Sequence, residues 1–389
     1  MQILTNPKFD FLGKKLYFIG ASVVVIIAGI VSMATRGIPL GIDFRGGADI
    51  QLKFREEPSV DGLRAALGAR GFEGVTLQRI GNVEDHEILI RLDPQAGLKP
   101  GEAPKEKEDI AADILRALRS AEESAAVVGK VDINVAGEAE IRNSLAGALG
   151  GGGEEEAARA AAAITRARND RGGLVADLSA LKALPEVTPR VASWLDERAV
   201  TGRFAIRSID YVGPAVGSDL RSKARWAIIL SLIAMLIYIA FRFKDWGYGI
   251  AAIITLTHDV LVTLGFISFF QKEFDLTVLA ALLTIVGYSI NDTIVIFDRV
   301  RENLRIYRQT DIEKVFNDSI NQCLSRTILT NMLVFMVLLS IWFFGGSRLE
   351  PFSFALIVGS ISGTYSTIYM SAPCVIWWTR FVRRVPARA

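Results

Sequence analysis

Six stretches of the chain are almost wholly apolar: residues 16–34, 226–241, 249–270, 276–297, 328–344 and 352–378. An α-helix rises about 1.5 Å per residue, so runs of this length suit a hydrocarbon core about 30 Å thick. They predict six transmembrane helices. Between the first and the second lies a long polar block with a different rhythm. Ile50, Leu52 and Phe54 alternate, as do Val75 and Leu77, and then Ile88, Ile90 and Leu92 beyond a polar turn at 81–85. Such alternation buries one face of a strand. Val60, Leu63 and Leu67 recur at helical spacing; a second helix is predicted over 110–121 and a last strand over 204–211. The order β-α-β-β-α-β is that of a ferredoxin-like sandwich. An oversized segment, about 125–200, interrupts it with four glycines at 150–153, three glutamates and an alanine run at 157–163. That composition predicts a helical insertion, entered through a flexible joint and dispensable for the sandwich. The predicted fold class is a polytopic α-helical membrane protein with an α+β ferredoxin-like domain. Its parts are a tail over 1–15, a first span over 16–34, the domain over 35–225, five further spans over 226–378 and a tail over 379–389.

Charge adds a direction. The net charge of the 389 residues is +2, but residues 37–225 sum to −4 and the remainder to +6. A large acidic block is the opposite of a nucleic-acid footprint. One set of short segments holds Lys8, Lys14, Lys15, Arg242, Lys244, Arg299, Arg301, Arg305, Arg308, Lys314, Arg326, Arg380, Arg383, Arg384 and Arg388, while the opposite loops hold only Lys272 and Arg348. Fifteen against two places both termini in the cytoplasm and the polar domain across the membrane. Two cysteines, Cys323 and Cys374, make no disulfide scaffold. Two histidines without an H-E-x-x-H, and no G-x-x-x-x-G-K-[ST], lead us to expect no metal, no nucleotide and no enzyme chemistry.

Ionisable groups inside spans cost roughly 2.5–3.5 kcal/mol at the centre on insertion scales, so each needs a partner or a task. His258 and Asp259 fall near mid-depth in the third span. Asn291 and Asp292 fall in the fourth, and Arg326 opens the fifth, ahead of Thr327, Thr330 and Asn331. Asp292 lies roughly 8 Å from the cytoplasmic end of its run, within reach of the Arg326 side chain. Thr284, Tyr288, Asn291, Asp292 and Val295 share one helical face. The predicted Asp292–Arg326 pair is either a static ion pair or a carboxylate that gains and loses a proton under the influence of Arg326. His258 is turned about 100° from Asp259 around its helix, so the two are not read as a dyad. Asp259 then belongs either to the proton path or to a helix-packing hydrogen bond. Gly359 and Gly363 form a G-x-x-x-G and predict close helix packing in the sixth span. Gly41, Gly46, Gly47, Gly213, Pro214 and Gly217 flank the polar domain as either hinges or ordinary turns.

The run VGYSINDTIVIFDRVRE at 286–302 closely resembles the fourth-span signature of the SecF family of bacterial protein-translocase subunits. GIDFRGG at 41–47 resembles that family's domain-entry motif, VGPAVG at 212–217 its exit motif, and THDV at 257–260 its third-span motif. The segment 125–200 departs from it in length. The resemblance implies an RND-like transporter fold in the bacterial inner membrane, with protons as the coupling ion and no other cofactor. It implies SecD as partner, the SecYEG channel, SecA, YajC and YidC as further candidates, a translocating preprotein as cargo, and lipid around the spans. It matches Asp292 to the family's membrane aspartate, Arg326 to the arginine opening the next span, and Asp259 to the third-span carboxylate. Two other classes compete. A small-molecule RND exporter needs an aromatic-lined pocket, and residues 37–225 hold only Phe44, Phe54, Phe72, Trp194, Phe204 and Tyr211. A purely structural assembly subunit would be indifferent to Asp292→Asn.

Overall fold

A computed structural model describes residues 7–72, 74–81, 83–93, 107–307 and 311–383. Residues 1–6 and 384–389 of the predicted tails, with Arg308, Arg384 and Arg388 of the charge count, lie outside the described residues. In chain order, α1 (Lys15–Arg36) and α2 (Ile42–Arg45) lead into β1 (Gly47–Phe54), α3 (Val60–Gly68), β2 (Thr76–Ile80) and β3 (Glu87–Leu92). Then come α4 (Lys107–Leu118), α5 (Ala121–Val127), β4 (Val131–Asp132), α6 (Glu138–Leu149), α7 (Glu154–Asp170), α8 (Ser179–Lys182), α9 (Pro189–Arg198), β5 (Ala199–Val200) and β6 (Phe204–Val212). The chain ends in long helices: α10 (Pro214–Phe243), α11 (Trp246–Phe269), α12 (Leu276–Ile306), α13 (Ile312–Phe344), α14 (Gly346–Tyr369) and α15 (Ser371–Arg383). Two compact units result: Met1–Phe44 with Ser218–Ala389, and Arg45–Gly217.

The Arg45–Gly217 unit is built on an antiparallel sheet of order β2-β3-β1-β6. Ala48, Ile50, Leu52 and Phe54 put every second side chain of β1 into the core, against Ile88, Ile90 and Leu92 of β3. Leu63 and Leu67 of α3 and Ile114 and Leu118 of α4 join the same core. Each large aliphatic side chain buried there contributes roughly 1.5–3 kcal/mol. Ser59 caps α3 by accepting from the Gly62 amide at 3.2 Å.

The segment 125–200 has its own core, in which Ala157, Ala160, Ala161 and Ile164 of α7 pack with Ile141 and Leu145 of α6 and Trp194 of α9. The glycines at 150–153, read as a flexible joint, form the turn between α6 and α7; Gly150 and Gly152 take φ values of +75° and +94°. Asp132 ties this segment to the start of β6, accepting from Arg119 at 2.8 Å and from the Gly202 amide at 3.0 Å.

Gly47 opens β1 at φ +115°, and a Cβ there would sit 2.1 Å from the Leu92 carbonyl oxygen. Gly47→Ala combines about 1–3 kcal/mol of backbone strain with that clash. It should lower the thermal midpoint of the domain by several degrees in circular-dichroism melts of the full chain. An unchanged midpoint would show that β3 yields without cost.

Burial raises the carboxyl of Asp49, on the same strand, above its ordinary value, against the pull of Arg91 at 3.3 Å and of Arg45. A carboxyl that binds protons more tightly folded than unfolded favours the fold below its unfolded value near 3.8. That contribution is lost as pH rises through the folded value. Asp49→Asn should therefore flatten the stability profile of the domain on the alkaline side of pH 4. Parallel profiles for the two proteins between pH 4 and 7 would contradict this.

In the other unit, five helices among the described residues are long and apolar enough to cross a membrane: α1, α10, α11, α12 and α13. α14, the first part of the predicted sixth span, is not among them, because Ser353, Ser360, Ser362, Thr364 and Ser366 dilute its apolar side chains. The predicted continuous helix over 352–378 breaks at Met370. Pro373 lacks the N–H that would bond the Tyr369 carbonyl, and its ring clashes with that group. The second span also begins earlier than the apolar pattern: α10 starts at Pro214, so Arg221, Lys223 and Arg225 lie on its first turns rather than in the domain. α13 likewise begins at Ile312, well before the predicted 328. Its first turns receive the N-terminal tail. Asn317 and Asn321 hold the backbone of Phe9 and Phe11 at 2.9 Å, and Glu313 pairs with Lys15 and Arg380, each at 2.8 Å.

Candidate site: two buried carboxylates in the helical bundle

Asp259 is fully buried on α11. Its Oδ1 accepts from Ser362 Oγ at 2.7 Å and lies 3.0 Å from His258 Nδ1. Its Oδ2 accepts from Ser289 Oγ at 2.7 Å and from Ser366 Oγ at 2.9 Å. The carboxylate therefore joins α11 to α12 and α14. His258 extends the network to α1, with Nε2 3.1 Å from Ser22 Oγ. The sequence reading that His258 and Asp259 do not form a dyad is corrected. The Cβ atoms do diverge around the helix, but the long imidazole swings back to the carboxylate edge.

Small residues make these distances attainable. A Cβ on Gly359 would come 2.2 Å from Cδ1 of Ile285, and one on Gly363 would come 3.1 Å from Ser289. The G-x-x-x-G face of α14 is thus the surface that meets α12, within the same chain. Gly29 of α1 and Gly265 of α11 make a second such approach, which the sequence pattern did not single out; a Cβ on Gly265 would lie 2.8 Å from the Gly29 Cα.

Asp292 sits in a different environment. It is 7% exposed, and its one hydrogen-bond donor among the described residues is Asn331 Nδ2, at 2.6 Å from Oδ2. Asn331 is itself fixed by donating to the Thr327 carbonyl, at 2.8 Å. Two buried hydroxyls, Tyr288 Oη and Thr327 Oγ1, have no hydrogen-bond partner among the described residues. Tyr288 lies one turn before Asp292 on α12, and Thr327 one turn before Asn331 on α13. The predicted ion pair is not formed. Arg326 is exposed, no salt bridge joins it to Asp292, and Thr330 Oγ1 donates to the Arg326 carbonyl of its own helix at 3.0 Å. The buried edge of α13 carries Thr327 and Asn331; Arg326 is one residue, about 100°, off that edge. Asn291 and Thr284 are exposed as well, so the polar face read on α12 divides between a buried Asp292 and an exposed rim.

The flanking glycines fall into two groups. Gly41 donates its amide to the Phe274 carbonyl at 2.9 Å, beside the Leu40–Phe274 bridge. Gly46 and Gly47 take φ values of +79° and +115°. Pro214 opens α10, and Gly217 lies in its first turn, donating to the Gly213 carbonyl at 3.0 Å.

The two carboxylates differ in what they can do. Asp259 is saturated with donors, which fixes its position. Asp292 has one donor, a slight opening, and hydroxyls nearby that can both donate and accept. That is the setting of a group whose proton can be exchanged.

Comparison with known proteins identifies the family. Residues 195–381 match the family of the protein export membrane protein SecD/SecF, C-terminal, and residues 31–57 match the SecD/SecF GG motif. The protein translocase subunit SecF of Koribacter versatilis is 36% identical over 392 residues, covering 97% of this chain and 93% of that protein. The SecF subunit of Escherichia coli O157:H7 is 30% identical, covering 94% of this chain and 86% of that one. The crystal structure of SecDF from Thermus thermophilus, described as a translocon-associated membrane protein, superposes with a TM-score of 0.65 at 28% identity. The match takes in 98% of this chain but 40% of that one, so the chain spans less than half of the SecDF polypeptide. With relatives of this identity over nearly its whole length, the chain belongs to the SecF family of protein translocase subunits.

Proposed function

We propose that this chain is the proton-coupled SecF half of a SecD–SecF pair, acting with the SecYEG channel in late steps of preprotein export. It is an accessory transport subunit rather than an enzyme. In this reading six helices cross the bacterial inner membrane, α14 with α15 serving as the sixth. Both termini are cytoplasmic, and the Arg45–Gly217 unit is a periplasmic ferredoxin-like domain. The strand order β2-β3-β1-β6 with α3 and α4 on one face supports the domain assignment. The Thermus SecDF chain, more than twice as long, supports SecD as the missing half.

The observation that carries the coupling is the buried, singly bonded Asp292 between α12 and α13. A membrane potential supplies about 2.3 kcal/mol per charge per 100 mV. A proton taken up by Asp292 on one side and released on the other would bias the bundle between two arrangements, provided they bind it with different affinity. The partnership is tested by affinity capture of this chain from solubilised native membranes. SecD and channel subunits should accompany it in near-stoichiometric amounts. Capture of an intact chain without SecD would overturn the reading as one half of a pair.

A further inference from the structure

The hydrogen atoms along one buried chain of contacts can be counted. Tyr365 Oη lies 2.5 Å from the Phe18 carbonyl oxygen. A carbonyl only accepts, so the single phenolic hydrogen is committed there. Ser22 Oγ lies 3.1 Å from Tyr365 Oη. With the tyrosine hydrogen already used, Ser22 must be the donor, and its single hydrogen is committed too. His258 Nε2 lies 3.1 Å from Ser22 Oγ, so the hydrogen in that contact comes from the ring: Nε2 is protonated. At the other edge of the ring, Nδ1 faces Asp259 Oδ1 at 3.0 Å. Three serine hydroxyls face that carboxylate, one at Oδ1 and two at Oδ2, and the one with a second acceptor, Ser366, lies nearer Oδ2, at 2.9 Å, than the Gly363 carbonyl, at 3.2 Å. This is a cage built for the ionised form, in which Nδ1 is the fourth donor. Both ring nitrogens then carry hydrogen.

We propose that His258 and Asp259 are an imidazolium–carboxylate pair, a second proton-holding site in the bundle, with its proton locked in place by Ser22 and Tyr365. The pair has no net charge, which suits its burial: the side chains of His258 and Asp259 are 4% and 0% exposed. A lone buried carboxylate there would be far more costly. The titratable groups that hydrogen-bond into this network, among the described residues, are Asp259 and Tyr365 alone. The chain of donors ends on a backbone carbonyl, so it sets the direction of every bond and leads no further. The site is separate from Asp292 and does not depend on gradient-driven export.

The chain has only two histidines, His86 and His258, which makes the test clean. His86→Gln leaves one imidazole in the full-length protein, reconstituted in lipid nanodiscs and labelled with nitrogen-15 histidine. At pH 7.5 the two ring nitrogens of His258 should resonate close together, as in an imidazolium, each coupled to a hydrogen. One protonated and one bare nitrogen, widely separated in shift, would overturn the proposal, whichever tautomer it revealed. A second variant tests the lock. Tyr365→Phe keeps the ring that meets Phe18 edge-on, lies tilted against Tyr369 and stacks on His258 but removes the acceptor of the Ser22 hydrogen. Ser22 is then free to donate to Nε2, and the neutral form of His258 should appear at the same pH, with its population up about tenfold. An imidazolium signal unchanged by Tyr365→Phe would show that the hydroxyl chain does not set the charge. The first measurement needs no substitution in the bundle, so a misfolded variant cannot decide the outcome.

Discussion

The Asp292→Asn protein should accumulate in the membrane at the wild-type level and lose the whole gradient-dependent part of preprotein export. Asparagine keeps the volume and one acceptor oxygen, which can still receive the Asn331 amide now 2.6 Å from Oδ2. No buried cation is stranded, because Arg326 is exposed and forms no salt bridge with Asp292. The several-kcal/mol penalty for breaking a buried ion pair therefore does not apply, and Arg326→Leu should not be needed to restore abundance. What the substitution removes is the capacity to take and release a proton. Translocation of a preprotein into inverted membrane vesicles, with and without an uncoupler, separates the two effects. Wild-type vesicles should slow on uncoupling, and Asp292→Asn vesicles should run at the uncoupled rate throughout. A variant of normal abundance that still responds to the uncoupler would sink the coupling role of Asp292 and favour a structural subunit.

The difference between the expected and observed partners of Asp292 shows where sequence stops being informative. Depth along a helix follows from residue count, and it correctly brought the stretch from Arg326 to Asn331 of α13 to the level of Asp292. Azimuth does not follow, because it depends on which neighbour each face meets. Thr327 and Asn331 turned out to be the buried edge, while one residue before each, Arg326 is exposed and Thr330 only half-buried. The strands of the Arg45–Gly217 unit were easier to read. A period of two has only two faces, and the apolar one must be buried. Ser22, Ser289, Ser362 and Ser366 left little signal, since a helical serine can satisfy itself on its own backbone and so marks neither a buried nor an exposed face. Helix ends were also misplaced. Polar turns such as Arg221, Lys223 and Arg225 continue an apolar helix at little cost, so hydropathy marks where a helix enters hydrocarbon and not where it begins.

Asp259→Asn should behave in the opposite way to Asp292→Asn, failing in assembly rather than in coupling. Four donors from three helices converge on this carboxylate. The amide of asparagine offers one acceptor oxygen in place of two and adds two hydrogens, so two of the four donors lose their acceptor or meet an N–H. Breaking a buried pair by removing one partner costs about 3–5 kcal/mol, a figure that takes in both the stranded His258 cation and the buried donors left unsatisfied. That is a large share of the stability of an ordinary domain. The expected result is a lower melting temperature in detergent and a several-fold lower steady-state level in the membrane. His258→Gln made alongside removes the cation and should recover part of both, whereas it should do nothing for Asp292→Asn. If Asp259→Asn instead melts and accumulates like the wild type but no longer responds to the proton gradient, the carboxylate that couples export is Asp259. The hydroxyl cage around it would then be the path of the proton rather than the pin that holds α11, α12 and α14 together.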